Sequence, residues 1–298
     1  METGIQTDRL FITEVNLADA GFILELLNTE GWKQFIGDRN VNNTEEATAY
    51  IQKILDNPSF SYAVVRIKEE GTPIGMVSMI KRDYLDHHDI GFAFLPAYNG
   101  KGYAFEAASA VLNHPSTLAA HTRILATALR TNNNSVRLLE RLGLVMEKEM
   151  LLEGKALFLY AVEVDQLLLN QLTQRFFSVF NNNKGQHPDW DRIKEVCIPE
   201  SIIIKKTGLE EEIYNLETFI APRRKILSDG TLTGFEEWEL KGETRISGNI
   251  AQRFSKYEKS GALNGLEFKA SGNKIFQFIK TREGWRINAV VWEDDTPD

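Results

Sequence analysis

One cysteine, Cys197, occurs in 298 residues. No disulfide can close within such a chain, so its stability must come from a buried core, and a reduced, cytoplasmic setting is expected. Long hydrophobic runs are also missing. No uninterrupted apolar stretch approaches the ~18 residues of a membrane helix. The opening METGIQTDRLFI lacks a basic segment followed by an apolar one, so no signal peptide is expected there. Positive charge is in deficit, with 34 Lys and Arg against 42 Asp and Glu, a net of −8. That balance argues against nucleic acid or an anionic membrane as main partner, and it is compatible with a cationic acceptor. There is no low-complexity tract, no internal repeat, and no Pro/Gly-rich linker to mark a domain boundary.

What is present is a patterned globular sequence. RLFITEVN alternates as a first strand, and NLADAGFILELLN and NNTEEATAYIQKILDN carry apolar residues at helical spacing. Asn16 is a candidate cap for the first helix, and Glu45 and Glu46 suit the start of the second. SYAVVRIKEEGTPIGMVSMIKRD is expected to form strand, turn, strand, followed by the strand HHDIGFAFLP. A helix from about Gly102, the strand RILATALR, a short helix ending at Gly143, and two strands around Glu153-Gly154 complete this part. Near Asp165 the pattern resets. One amphipathic helix, VDQLLLNQLTQRFFSVFNN, leads into long strands of antiparallel character. The expected domains are residues 1–166 and 167–298.

The segment DIGFAFLPAYNGKGYAFEAA leaves a strand, exposes backbone at Gly100 and Gly102, and enters a helix at once. A helix N-terminus offers unpaired N–H groups and a partial positive charge, and glycine lets an anion approach them without Cβ atoms in the way. Main-chain donors at Gly100, Lys101, Gly102, Tyr103 and Ala104 therefore make a phosphate or pyrophosphate cradle, with Lys101 adding charge at its rim. A plain strand–turn–helix connection is the other reading of the same residues. A Walker A loop is excluded because no GK[ST] follows, and the GxGxxG spacing is incomplete.

Together, NGKGYA (Asn99–Ala104) and TNNNSVRLLERLGL in this element order resemble the GNAT acetyltransferases, in particular the ribosomal-protein N-terminal acetyltransferase branch. NGKGYA is similar to the family's Q/R-x-x-G-x-G/A loop, with Asn99 replacing Gln/Arg, and the second segment to its N-x-x-S/A…LGF pattern. The resemblance implies a mixed α/β sheet domain over residues 5–165. It implies acetyl-CoA as co-substrate, no metal, and a primary amine as acceptor. It places Asn132 and Ser135 near the pantetheine arm, and the backbone around Phe92 to Phe94 alongside it. It leaves Asp89 and Glu106, with His87 and His88 behind them, as candidate bases. Many relatives carry a tyrosine seven residues after the asparagine; here that position is Leu139, which leaves Ser135 or water to protonate the thiolate. Acceptor specificity is expected in Trp32–Asn43, as a lid or as a helix connector, and in Asp83–His88.

The second half resembles the nuclear transport factor 2-like (SnoaL-like) α+β cone, from FFSVFNN…DWDRIKEVCIPESIIIK and the hairpin GNKIFQFIKTREGWRINAVVWEDD. The resemblance implies a ligand pocket or a homodimer surface. His187 is expected in a solvated loop, and WEDDTPD as a solvated end. Glu217, Glu236, Glu239, Arg245 and Arg253 line a cavity or lie on the outer sheet face. Two other functions fit the sequence: a non-catalytic CoA-binding sensor or scaffold, and a small-molecule enzyme residing in the cone.

Overall fold

The computed structural model describes residues 4–183 and 187–295. The first three residues of the opening segment, three of the loop before His187 and the last three of the acidic tail lie outside them. The chain divides into two compact units, Met1–Leu167 and Leu168–Asp298.

In the first unit, β1 (Ile5–Gln6) and β2 (Leu10–Glu14) precede α1 (Ala20–Leu27), α2 (Glu30–Phe35) and α3 (Thr44–Leu55). A meander of β3 (Phe60–Ile67), β4 (Pro73–Lys81) and β5 (His88–Phe94) follows. Then come α4 (Tyr103–Leu112), α5 (Pro115–Ala120), β6 (Arg123–Leu129), α6 (Asn133–Arg141), β7 (Val145–Leu152) and β8 (Lys155–Glu163). The eight strands form one sheet in the order β1-β2-β3-β4-β5-β6-β8-β7, antiparallel except between β5 and β6.

Local chemistry explains several boundaries. Asn16 caps the turn that leads into α1, and Asp19 returns the bond to the Asn16 N–H at 3.0 Å. The true cap of α3 is Asn43, whose Oδ1 accepts from the Glu46 N–H at 2.9 Å. Beyond α6 the chain reverses at Gly143, whose N–H donates to the Glu140 carbonyl. Helices α1 to α3 bury Ile23, Leu26, Ala47 and Ile51 against Val64, Met76 and Leu95 on one sheet face. Helix α4 packs on β2, β4 and β5 from the opposite face.

The second unit holds most of α7 (Val164–Ser178), then α8 (Arg192–Val196), β9 (Cys197–Thr207), β10 (Glu210–Tyr214) and α9 (Leu216–Ser228). Four long strands complete it: β11 (Leu232–Ser247), β12 (Ile250–Leu263), β13 (Leu266–Thr281) and β14 (Gly284–Asp294). Sheet order is β10-β9-β14-β13-β12-β11, with β14 and β9 the parallel pair. Phe176, Phe177, Ile193, Val196 and Phe219 cover an inner sheet face made of Ile203, Tyr257, Phe276, Phe278 and Val290. The KIFQFIK alternation is as expected, with Phe276 and Phe278 buried and Gln277 exposed.

Helix α9 was not anticipated. Pro222 lies inside it, and its start is set by a capping box between Asn215 and Thr218. Glu217 is exposed on this helix, so it lies on neither sheet face. Arg245 points to solvent, whereas Arg253 and Glu239 are a buried bidentate pair, with Nη2–Oε2 at 2.6 Å and Nε–Oε1 at 2.8 Å. Glu236 is half-buried and accepts a hydrogen bond from Asn183. His187 is exposed.

Candidate active site

Between β5 and α4 the chain makes one tight turn at Pro96–Tyr98 and then runs through Asn99–Gly102. Gly100 and Gly102 have φ of +74° and +84°, in the left-handed region where a Cβ is penalised. Gly102 is the N-cap residue of α4, and no side chain caps this end. The first-turn N–H groups are thus left for an anion. Tyr103 and Ala104 open the helix half-buried, and Lys101 is exposed with its Nζ 5.4 Å from the Tyr98 ring centre.

A cation that sequence reasoning missed lies behind this loop. The Arg9 guanidinium donates to the Lys101 carbonyl at 3.1 Å, sits 4.5 Å from the Tyr103 ring centre and pairs with Glu106 at 2.6 Å. Glu106 also accepts from Thr7 Oγ1 at 2.5 Å and from the Arg9 N–H at 3.0 Å. Burial alone would raise the Glu106 carboxyl, but the Thr7 and Arg9 hydrogen bonds and the Arg9 charge outweigh it and hold the group below the usual carboxylate range. Both oxygens are taken by the β1–β2 turn, to which they tie the first turn of α4.

Strands β5 and β6 pair at a single register position, Asp89 with Leu125, and then part. The β6-facing edge of β5 from Ile90 to Phe94 has no ladder partner, while its other edge pairs with β4. Phe92 and Phe94 lie on this stretch. The Phe94 ring covers Gly75 on β4 so closely that a Cβ there would approach it to 2.2 Å.

At the parting point the sheet face that carries α1 to α3 is polar. Asp89, only 2% exposed, accepts from Arg82 Nε at 2.9 Å on each carboxylate oxygen. Burial raises its carboxyl above the usual range, and Arg82 offsets part of that. Tyr84 lies beside Arg82 and beside Thr127 on β6. Tyr62 on β3 and Tyr50 on α3 face each other, with Arg39 beside them. Burial pushes both hydroxyls up, so they stay protonated at neutral pH. Arg39 and Tyr84 come from the two segments expected to choose the acceptor.

The first of those segments is no free lid. Trp32 and Val41 are both buried in the α1–α3 core, and Asn28 Nδ2 donates to the Val41 carbonyl at 2.8 Å. The Asp83–His88 segment leads into β5, and the His88 ring lies tilted against that of His121, with ring centres 4.6 Å apart. Burial and neighbouring positive charge hold both imidazoles below their ordinary pKa.

Asn132 caps α6, its Oδ1 accepting from the Ser135 N–H at 3.2 Å. Ser135 is half-buried on the first turn. Helix α6 packs against α4 and β6, which brings its start to the glycine-loop side of the sheet. Leu139, at the position where many relatives carry a tyrosine, is 1% exposed and belongs to the core. Among the described residues, no group of three or more His, Cys, Asp or Glu is placed to hold a metal ion, and no helix is long and apolar enough to cross a membrane.

Residues 9–145 match the family described as Acetyltransferase (GNAT) domain. The Bacillus subtilis protein described as uncharacterized N-acetyltransferase YnaD is 30% identical over 145 residues, which are 48% of this chain and 83% of that protein. The chain belongs to the GNAT family. It is an acetyltransferase, and acetyl-CoA is its acetyl donor as in that family. Among solved structures, a GNAT-family acetyltransferase from Bacillus anthracis is 23% identical. It covers 55% of this chain and 99% of its own, with a TM-score of 0.48. The spermidine N-acetyltransferase of Vibrio cholerae, solved in complex with CoA and spermine, is 19% identical, with 54% and 99% covered and a TM-score of 0.48. The family match lies wholly within the first unit.

Proposed function

We propose that the first unit, residues 1–166, transfers the acetyl group of acetyl-CoA to a primary amine, either a protein N-terminus, as in the ribosomal-protein branch, or a small molecule. One observation carries this reading: an uncapped helix start at Gly102 follows the strand that parts from its neighbour just past Asp89. The diphosphate of CoA rests on the N–H groups of Gly100, Lys101, Gly102, Tyr103 and Ala104, with Lys101 adding positive charge at the rim and Arg9, paired with Glu106, bracing the Lys101 carbonyl from behind. The pantetheine pairs with the free edge of β5 at Phe92–Phe94 like an added strand. A main-chain N–H there holds the thioester oxygen and supports the oxyanion. Asn132 and Ser135 border the arm at the start of α6.

A neutral amine attacks the thioester carbonyl, its C–N bond forms, and the tetrahedral intermediate collapses with loss of the CoA thiolate. Asp89 takes the amine proton, directly or through water, and Ser135 or water protonates the thiolate. Glu106, whose carboxyl Thr7 and Arg9 hold below the usual range where burial raises that of Asp89, is the weaker base of the two and anchors α4. Asp89→Asn is expected to lower kcat about 100-fold with little change in KM for acetyl-CoA. The sign of the pH dependence follows from burial, which raises the Asp89 carboxyl. The wild-type rate falls as pH drops through that raised value, because the protonated acid accepts no proton. In the Asn variant this limb is absent. An unchanged rate with an unchanged acid limb in a pH–rate profile sinks the assignment.

The second unit, residues 167–298, is read as a nuclear transport factor 2-like module that binds a ligand or pairs two chains. On its outer sheet face, Phe254, Ile275, Val291, Ile204 and Ile213 lie side by side in cross-strand register. Phe254 is 49% and Ile213 67% exposed, an apolar stripe that a second copy would cover. Phe254→Glu is expected to turn a homodimer into a monomer in light scattering, and a wild-type monomer at the same concentration argues against the pairing. A cytoplasmic enzyme that needs neither nucleic acid nor membrane completes the proposal, in keeping with the net charge of −8.

A further inference from the structure

The inner face of the second unit carries an unusual load of charge for a small core. Lys274, 5% exposed at its side chain, pairs with Glu237 at 2.8 Å and lies 4.7 and 4.5 Å from the Phe177 and Tyr257 ring centres. Lys259 pairs with Asp294 at 2.6 Å, and Asp294 also accepts from the Tyr257 hydroxyl. These pairs are internally balanced. Arg223 is not. From α9 its guanidinium stacks 3.7 Å from the Phe219 ring centre and lies 5.6 and 5.7 Å from those of Tyr214 and Trp292. It spends Nη1 on the Phe219 carbonyl at 2.8 Å, and among the described residues it has no ion pair.

The carboxylates within its electrostatic reach are already engaged. Glu237 is held by Lys274, and Glu212 by Lys205 and the Tyr214 hydroxyl. Lys274 is thus matched by Glu237 and Lys205 by Glu212, which leaves Arg223 without a carboxylate of its own; Arg224, exposed and 5.6 Å from the Trp190 ring centre, is a further cation with no ion pair among the described residues. Desolvation lowers the Arg223 pKa, as burial of an uncompensated cation should. A guanidinium keeps its charge in proteins and presents a planar fork with spare donors. Around it the rings form a continuous series, Trp190 to Phe180 to Phe219, with Tyr214 and Trp292 both edge-on to Phe219 at 6.0 and 5.8 Å.

We propose that Arg223, with Tyr214 and Trp292 beside it, recognises a small monocarboxylate with a flat apolar body, the aromatic carboxylates being the matching class. The unpaired Arg223 guanidinium matches one carboxylate, and the rings match a planar hydrophobic ligand. The inference rests on reading the second unit as a ligand-binding module and is independent of acetyl transfer in the first.

The test uses the full chain and the isosteric probes benzoate and benzamide, followed by calorimetry and tryptophan fluorescence. Benzoate is expected to bind saturably at millimolar concentration or below, with benzamide at least about tenfold weaker, since a charged acceptor strengthens the bond to arginine. Arg223→Gln is expected to remove that preference, and Arg223→Lys to keep part of it. Thermal melts verify that the variants fold; if they do not, the benzoate–benzamide comparison on the wild type decides. Equal affinity for both probes, no saturable benzoate binding, a tighter fit for phenylphosphonate, or an unchanged preference in a folded Arg223→Gln would each overturn the proposal. Acetyl-CoA turnover by the same preparation shows separately whether the first unit works.

Discussion

Gly102→Val is expected to abolish measurable acetyl-CoA binding while the fold survives. At φ +84° a β-branched residue costs at least about 1–2 kcal/mol. The added Cβ also meets the Arg9 guanidinium at 3.3 Å, the group that holds the Lys101 carbonyl and Glu106. The chain can relieve both only by turning the peptides on either side of residue 102, and those carry the N–H groups aimed at the diphosphate. Hydrogen bonds to a charged partner contribute about 1.5–3 kcal/mol each. Losing two of them corresponds to roughly 100-fold to 10,000-fold in affinity. Gly71→Val is the control. Gly71 has φ +69° in the β3–β4 turn and open space around it, so it shares the backbone strain without touching the cradle. Calorimetry should show reduced stability in both variants and lost CoA affinity only for Gly102→Val. Equal affinity in the two would detach the loop from CoA.

Glu237→Gln should be the most damaging single change in the second unit. Lys274 lies in a strand between the α7 aromatics and Trp292, with Glu237 as its close counter-ion. Neutralising Glu237 leaves an ammonium among aromatic rings with its side chain only 5% exposed to solvent. Removing one partner of a buried pair costs about 3–5 kcal/mol. Replacing both, Glu237→Leu with Lys274→Met, should recover most of that, because the burial penalty of both charges disappears together. The sign with pH is distinctive. Burial, the largest influence on Lys274, lowers its pKa, so below the ordinary lysine value the unfolded chain holds more protons than the folded one. Stability of the Gln variant should therefore rise as pH increases through that window, while the double variant stays flat. Urea melts showing less than about 1 kcal/mol of loss at neutral pH would contradict the buried-pair reading.

The first unit was legible where its order depends on short-range signals. The β3–β4–β5 meander, the glycines before α4 and the short helix α6 ending at Gly143 each follow from residues a few positions apart. What escaped were contacts between distant segments. Arg9 and Glu106 are 97 residues apart, and nothing near Glu106 betrays that both its oxygens are taken. Tyr50 and Tyr62 stand on a helix and a strand whose meeting is a product of tertiary packing. Trp32 looked equally suited to a lid, yet its indole is core. In the second unit, Pro222 and the mixed polarity of LETFIAPRRKILS hid α9, and with it the placement of Arg223. The strand period already puts Lys274 on the face of Phe276 and Phe278, but only Glu237, on a strand two away, makes that burial tolerable for a charge.

A crystal structure of the full chain grown with CoA tests the central claim most directly. Diphosphate oxygens within about 2.7–3.2 Å of the main-chain nitrogens of Gly100 to Ala104, with pantetheine along the free edge of β5, are the expected result. CoA ordered elsewhere, with its diphosphate held by side chains and the 99–104 turn empty, would contradict it.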